Sequence, residues 1–207
     1  MTDTIFFIII LIISVVIHEV SHGYVALYFG DETAKRAGRL TLNPLKHLDM
    51  FGSIILPLLL IVLKSPFLIG WAKPVPYNPY NFNNVRKGTF FVSSAGVLAN
   101  IFIALIFGLI LRFFFDSSVL TQNLSLIHII SVIVLTNLGL ALFNLIPIPP
   151  LDGSKILFSI IPPSIYSKIN FLERYSFFIL LFFIFFFSAY LFPIIRFLFY
   201  LITGVNF

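Results

Sequence analysis

Long runs of apolar residues dominate the sequence and predict helices that cross a membrane. A helix needs about 20 apolar residues to span the hydrocarbon core. Four stretches are long enough, and they cover about Thr4–Phe29, Thr89–Phe115, Leu126–Ile146 and Tyr175–Ile202. The pattern therefore predicts an all-α membrane protein, a polytopic transmembrane helix bundle with about four full spans.

A further apolar stretch, Phe51–Leu63, is too short to span, contains Pro57 and stops at Lys64-Ser65-Pro66. We expect it to enter the membrane and return on the same side, as a re-entrant segment. With this arrangement all but Arg112 and Arg196 of the 13 Lys and Arg residues lie on the cytoplasmic side. Such a bias follows the positive-inside rule, and it would weaken if the segment crossed fully.

The polar connections carry weaker signals. Arg39–Leu42 alternates between polar and apolar residues, which predicts a short strand and adds a small β element to the fold. Such a strand could hold an unwound substrate by edge pairing. Gly70–Tyr80 is rich in proline and is expected to be a loop or an extended segment. Within Tyr175–Ile202, Pro193 predicts a kink.

The composition agrees with a membrane protein and excludes several classes of chemistry. Hydrophobic residues make up 59% and charged residues 10% of the 207 residues, whereas soluble domains carry about 25% charged residues. The absence of cysteine excludes disulfides, thiolate metal sites and a cysteine nucleophile. The net charge is +5 without a basic run interleaved with aromatic residues, so no nucleic-acid partner is expected.

The first apolar stretch contains the motif His18-Glu19-Val20-Ser21-His22. On a helix, His18 and His22 lie one turn apart on the same face and can bind one zinc ion. Glu19 lies about 100° around the helix, where it can reach a water molecule as a general base without being a ligand. Such motifs arise by chance on solvated helices, but ionisable groups inside a membrane span are costly and usually functional.

Catalytic zinc usually takes three protein ligands, and Asp152 is the best candidate for the third. It follows the proline-rich run Asn144-Leu145-Ile146-Pro147-Ile148-Pro149-Pro150-Leu151 and precedes Gly153. Unwound backbone at membrane depth is tolerated only against protein or a water-filled cavity. Taken alone, Asp152 could equally be a turn residue or a helix N-cap. Together with the histidine motif, the ligand interpretation is favoured.

The motifs HEVSH and NLIPIPPLDG together resemble the site-2 protease family of intramembrane zinc metallopeptidases. The resemblance extends to LTLNPLKHLDMFGSIILPLLL, GWAKPVPYNP and SSAGVLAN, and covers residues 14–160 approximately. It is greatest for the compact subgroup without PDZ or CBS domains. We therefore expect a single transmembrane metalloprotease domain over residues 1–207, with a C-terminal transmembrane helix at about 175–202.

The resemblance also implies roles for individual residues. It implies that His18, His22 and Asp152 bind one zinc ion and that Glu19 is the base. It further implies that Asn144 lies near the substrate or the oxyanion. One departure is visible, because Ala95-Gly96-Val97 stands where the family often has Ala-Gly-Pro. We expect this departure to affect helix packing rather than the metal.

The function expected from this pattern is that of a zinc metalloendopeptidase cleaving membrane-spanning protein substrates. The expected location is the cell membrane, with the active site near the cytoplasmic side. Two alternatives are a catalytically inactive membrane scaffold and a metal-ion transporter. A transporter should have polar ligands at several depths, whereas this chain concentrates them at one.

Three other polar residues have open roles. His47 and Asp49 could support the metal site, but a structural role in their loop is favoured. Asn100 could form a hydrogen bond between helices or approach the site.

Overall fold

The computed structural model describes residues 2–63, 70–115, 122–162 and 172–205, and most of this part of the chain is helical. Four helical stretches within it are long and apolar enough to cross a membrane, which confirms the predicted spans. The helices are α1 (Thr2–Tyr28), α2 (Thr33–Arg36), α3 (Leu56–Val62), α4 (Val85–Phe114), α5 (Leu124–Asn144), α6 (Asp152–Ile160), α7 (Ser176–Phe187) and α8 (Leu191–Thr203).

Asparagine and aspartate side chains begin the elements between the spans. Asn43 and Asn78 each accept a hydrogen bond from a backbone N–H at the start of a short 3₁₀ helix that opens with proline. Asp49 does the same for a π-helical turn, Met50–Ile55, that continues into α3. Asn84 caps α4 in this way. The residues Lys64-Ser65-Pro66, at which we expect the short apolar stretch to stop, lie outside the described residues.

The predicted small β element at Arg39–Leu42 is wrong, because no strand occurs in the part of the chain that the structure describes. The neighbouring backbone is the proline-rich segment, and Pro74 and Pro76 have no N–H to contribute to a ladder. The two segments are joined instead by a bond from Arg39 Nη2 to Lys73 O, 2.7 Å, and one from Lys73 N to His47 O, 2.8 Å. Without a strand, the suggested edge pairing with substrate has no basis.

Helix α4 forms the centre of the bundle, where it packs against α1, α5, α6 and α8. Six of its buried residues are Gly, Ala or Ser, which let neighbouring helices approach closely. Its C-terminal half joins α5 and α8 in an apolar core that includes Leu111, Val134 and Phe199. The outward faces of the spans carry exposed Phe, Ile and Leu side chains, as expected of a surface that contacts lipid.

The last predicted span is divided in the structure. Helix α7 ends at Phe187, a 3₁₀ turn covers Ser188–Tyr190, and α8 begins at Leu191. Pro193 therefore lies in the first turn of α8, where its missing N–H costs nothing because first-turn N–H groups have no intrahelical partner. The predicted interruption exists, but it precedes the proline.

Asp31 connects the end of α1 to the proline-rich segment. Its side chain is fully buried and accepts four hydrogen bonds, from Thr33 N and Oγ1, Asn78 N and Asn81 Nδ2, at 2.5–3.1 Å. Burial would raise the pKa of this carboxyl, but the hydrogen bonds outweigh burial and hold the pKa below its usual value of 3.8. The ionised form therefore stabilises the folded chain.

We expect Asp31→Asn to lower the thermal unfolding temperature of the detergent-solubilised chain at neutral pH. An amide at this position would keep one acceptor oxygen but turn an NH₂ group toward a donor, leaving one of the four N–H or O–H groups unpaired. Because the native pKa is lowered, the wild-type advantage is complete well above pH 3.8 and declines as the pH falls through the native pKa. Thermal scans at several pH values measure this difference.

Glu32→Gln is the matched control, since Glu32 is the adjacent acid and its salt bridge with Arg36 is solvent-exposed. An equal loss of stability in the two variants, or a difference independent of pH, would contradict the role assigned to Asp31.

Candidate metal centre and active site

Two buried histidines on α1 each direct one ring nitrogen to α4 and the other to α6. His18 Nδ1 lies 2.5 Å from Asn100 Oδ1, and His22 Nδ1 lies 2.6 Å from the backbone oxygen of Val92. The two rings meet edge to face, with centroids 4.7 Å apart. Their Nε2 atoms are 3.0 Å and 3.2 Å from Asp152 Oδ2. The structure thus brings together the three predicted zinc ligands.

The chemistry of these three atoms suits a metal cation. The Val92 oxygen can only accept, so His22 Nδ1 carries a proton and Nε2 is the ring atom left to bind a cation. Burial would raise the pKa of Asp152, but its contacts with the histidines outweigh burial and hold the pKa below the usual 3.8, so this group is an anion. A cation, whether a proton or a metal ion, can be shared between His22 Nε2 and the Asp152 oxygen 3.2 Å away.

The spacing of the donor atoms also fits zinc. Tetrahedral zinc with bonds of about 2.0–2.1 Å places its donor atoms about 3.3 Å apart, close to the observed 3.0 Å and 3.2 Å. Gly96 of α4 keeps the neighbouring space clear, because a Cβ atom there would lie 2.6 Å from the Nε2 atoms of both His18 and His22. Gly96 was not among the predicted site residues, although it lies in the triplet that departs from the family pattern.

Glu19 lies beside the two histidines, as its position on the helix predicts. Donor atoms of His18, Glu19 and His22 all lie within 4.8 Å of one another. Glu19 Oε2 also accepts a hydrogen bond from the backbone N–H of Val75, 2.8 Å away. Sequence reasoning missed this contact, which brings the proline-rich segment against the active-site carboxylate.

The unwound run between α5 and α6 positions Asp152 as the first residue of α6. Gly153 allows this placement, since a Cβ atom there would overlap the backbone carbonyls of Leu145 and Ile146. The backbone therefore folds back on itself at a distance that only glycine permits. The N-cap of α6 is Leu151 and no side chain caps the helix, so the N-cap interpretation of Asp152 is wrong, and its side chain contacts the histidines instead.

The other candidate residues differ in their relation to the site. Asn144 Nδ2 donates to Leu140 O, 3.0 Å, and within the described residues no hydrogen bond joins it to the ligands or to Glu19. Asn100 approaches the site and bonds between helices. His47 bonds to Thr41 O and Asp49 caps the turn that follows it, as expected of structural residues.

Lys155 adds a positive charge near the site that sequence reasoning also missed. Its Nζ lies 5.4 Å from the centre of the Tyr77 ring. Burial would lower the pKa of this amine, but Tyr77, Asp152 and Glu19 outweigh burial and raise the pKa above its usual value. The lysine is therefore charged and compensates part of the negative charge of the carboxylates.

Comparisons with known proteins relate the chain to zinc metalloproteases. The model of Peptidase family M50 matches residues 116–187. The chain is 41% identical over 179 residues to Putative zinc metalloprotease YwhC of Bacillus subtilis, covering 85% of this chain and 78% of that protein. It is 33% identical to Putative zinc metalloprotease Rip2 of Mycolicibacterium smegmatis and 30% identical to that of Mycobacterium tuberculosis, covering 69% and 70% of this chain.

The chain spans about half the length of the two Rip2 proteins, at 52% and 53%. No solved structure gives a significant match. Four apolar helices around a cluster of histidines and carboxylates indicate a multi-pass membrane metalloprotease that uses zinc. The chain belongs to peptidase family M50, the site-2 protease family.

We expect Gly96→Ala to reduce bound zinc from about one per chain to a small fraction of that value. The added methyl group would occupy the space beside both Nε2 atoms, and rings that move away from it no longer converge with Asp152. Elemental analysis of the purified chain measures the zinc content.

Gly139→Ala is the matched control because it also adds a methyl group to a spanning helix, where the nearest atom, Ile195 Cδ1, is 3.9 Å away. Full zinc content in Gly96→Ala would show that the metal lies elsewhere.

Proposed function

We propose that this chain is an intramembrane zinc metalloendopeptidase of the cell membrane, hydrolysing peptide bonds of membrane-spanning proteins. The observation that carries the proposal is the convergence of His18, His22 and Asp152 beside Glu19, within a helix that has an apolar outer surface. Ionisable groups in such a span cost free energy and are usually present because they serve a function. The relatives named as zinc metalloproteases support the same chemistry.

In this proposal His18, His22 and Asp152 hold the zinc ion. When bound, zinc supplies Lewis-acid activation of the attacking water and of the scissile carbonyl. Glu19 takes the proton of that water and transfers it to the leaving amine. The Val75 N–H holds one oxygen of Glu19, which orients the carboxylate and leaves its second oxygen for proton transfer.

One further residue is assigned to the substrate. Asn144 lies at the end of α5, beside the unwound run, and we assign it to the substrate carbonyl or the oxyanion. For that role its Nδ2 must leave the oxygen of Leu140. A helical substrate hides its peptide bonds in its own hydrogen bonds, so it must unwind before any of these groups can reach it.

The site is proposed to lie toward the cytoplasm. The histidines are in the second half of α1, and Asp152 follows the last turn of α5, so both lie toward the ends of spans whose adjoining connections are rich in Lys and Arg. Connections of this kind are retained on the cytoplasmic side.

Glu19→Gln separates an enzyme from a scaffold. We expect the variant to cleave a panel of labelled single-span peptides, co-reconstituted in liposomes, about 10²- to 10⁴-fold more slowly than wild type. Zinc content should be unchanged, because Glu19 is not a ligand in this mechanism. Cleavage is followed by gel electrophoresis, with and without a zinc chelator.

Glu32→Gln serves as the control for loss of an acid outside the site. Undiminished cleavage by Glu19→Gln would remove Glu19 as the base. Cleavage that survives complete zinc removal would remove the metalloprotease mechanism itself.

A further inference from the structure

A chain of hydrogen bonds runs from His18 away from the metal centre into the bundle core. His18 Nδ1 meets Asn100 Oδ1 at 2.5 Å, and Asn100 Nδ2 donates to Asn137 Oδ1 at 2.8 Å. Asn137 Nδ2 donates to Ile133 O at 2.9 Å and to Ser14 Oγ at 3.0 Å. Asn100 and Asn137 are both 0% exposed. Burying amide groups among spanning helices costs free energy, so we expect this series of hydrogen bonds to serve a purpose.

The order of donors and acceptors along these hydrogen bonds is determined at Ile133, the end farthest from the metal centre. The oxygen of Ile133 can only accept, so it must face the NH₂ group of Asn137. Asn137 then presents its oxygen to Asn100, which must donate through its own NH₂ group. The remaining atom of Asn100 is an oxygen, and it faces His18 Nδ1. Nδ1 therefore carries a proton, which leaves Nε2 as the ring atom that can bind a metal ion.

The two histidines reach the same state by different means. His22 donates from Nδ1 directly to a backbone carbonyl, that of Val92. His18 has no such direct partner in the described part of the chain. It reaches backbone carbonyls through side-chain amides, because Asn100 Nδ2 lies 3.5 Å from Ser14 O and Asn137, bonded to Asn100, donates to Ile133 O. Partners of this kind fix the tautomer and orientation of metal-binding histidines. The device at His18 consists of side chains and can be removed by substitution.

We propose that Asn100 and Asn137 are positioning residues that hold His18 with its proton on Nδ1 and its Nε2 directed to zinc. The proposal rests on the assignment of His18 as a zinc ligand. Asn137 is the informative member, because it bonds to Asn100, Ser14 and Ile133 and acts on His18 only through Asn100.

Zinc affinity of the purified full chain, measured by competition with a chromogenic chelator, tests the proposal. Asn137→Leu removes the shorter of the two hydrogen bonds that orient the Asn100 amide, leaving the 3.5 Å contact with Ser14 O, and Asn100→Leu removes the acceptor for His18. We expect each to weaken zinc binding about 10- to 100-fold. Asn100→Asp keeps an acceptor oxygen toward Nδ1 in a side chain of the same shape and should recover most of the affinity.

Leu138→Ala is the matched control. Leu138 is the next residue on α5 and is 3% exposed, and it belongs to the apolar core rather than to the hydrogen-bonded chain. Its truncation loosens the same helix without touching His18, so affinity should stay close to wild type. An equal weakening in Leu138→Ala and Asn137→Leu would overturn the proposal, since the effect would then be general loosening.

A second measurement requires no variant. In ¹⁵N-histidine NMR spectra of the zinc-loaded wild type, both His18 and His22 should show a proton on Nδ1. In Asn137→Leu the Nδ1 proton signal of His18 should weaken, while that of His22 stays as an internal reference. A wild-type spectrum without a proton on His18 Nδ1 would overturn the proposal even if the variants fail to fold.

The outcomes also distinguish this proposal from the function on which it rests. If wild type binds no zinc, or His18→Ala binds it as tightly as wild type, the assignment of His18 as a ligand fails. If His18→Ala weakens binding and Asn137→Leu does not, the ligand stands and the positioning role fails.

Discussion

The convergence of three electron-pair donors at one point between α1, α4 and α6 is the constraint on which the rest of the structure depends. The Nε2 atoms of His18 and His22 each lie about as far from Asp152 Oδ2 as two ligands of tetrahedral zinc lie from each other. Without a shared cation these donors would repel one another, and repulsion is strong where the local dielectric constant is low. The residues around the site therefore have to hold these three donor atoms close together.

One face of helix α4 carries three residues that position the two histidines or leave room for them. Val92, Gly96 and Asn100 follow one another at intervals of four residues, so they lie on the same side of the helix. The carbonyl of Val92 orients His22, Gly96 leaves room beside both rings, and Asn100 bonds to His18. A helix at the centre of the bundle can thus serve the metal site without supplying a ligand. The small residues that let it pack closely also leave it rigidly held.

The features that could be predicted depend on residues close together in the sequence. Those that could not be predicted depend on contacts between segments far apart in the sequence. The spans follow from local composition, and the His18–Glu19–His22 motif needs only the period of a helix, so both could be read from the sequence. Asp152 could be proposed because its proline-rich context marks unwound backbone. Gly96 and the amide chain could not be found in this way, because their meaning depends on which face of α4 meets α1. The strand at Arg39–Leu42 was wrong because alternation over four residues says nothing about whether a neighbouring segment has N–H groups to share.

In the proline-rich segment, the positions of the prolines determine which backbone N–H groups can bond to neighbouring residues. Pro74 and Pro76 have no N–H, so Val75 is the one backbone donor between them. That donor is bonded to Glu19, whereas Lys73 donates to His47 O and Asn78 to Asp31. The backbone donors on either side of the prolines therefore fasten the segment to the loop and to the end of α1. These anchors hold the Val75 N–H against the carboxylate, and any movement of the segment must also change the environment of Glu19. Proline on both sides of Val75 prevents this segment from joining a sheet. It also leaves a single N–H there, and that N–H is bonded to Glu19, the proposed base.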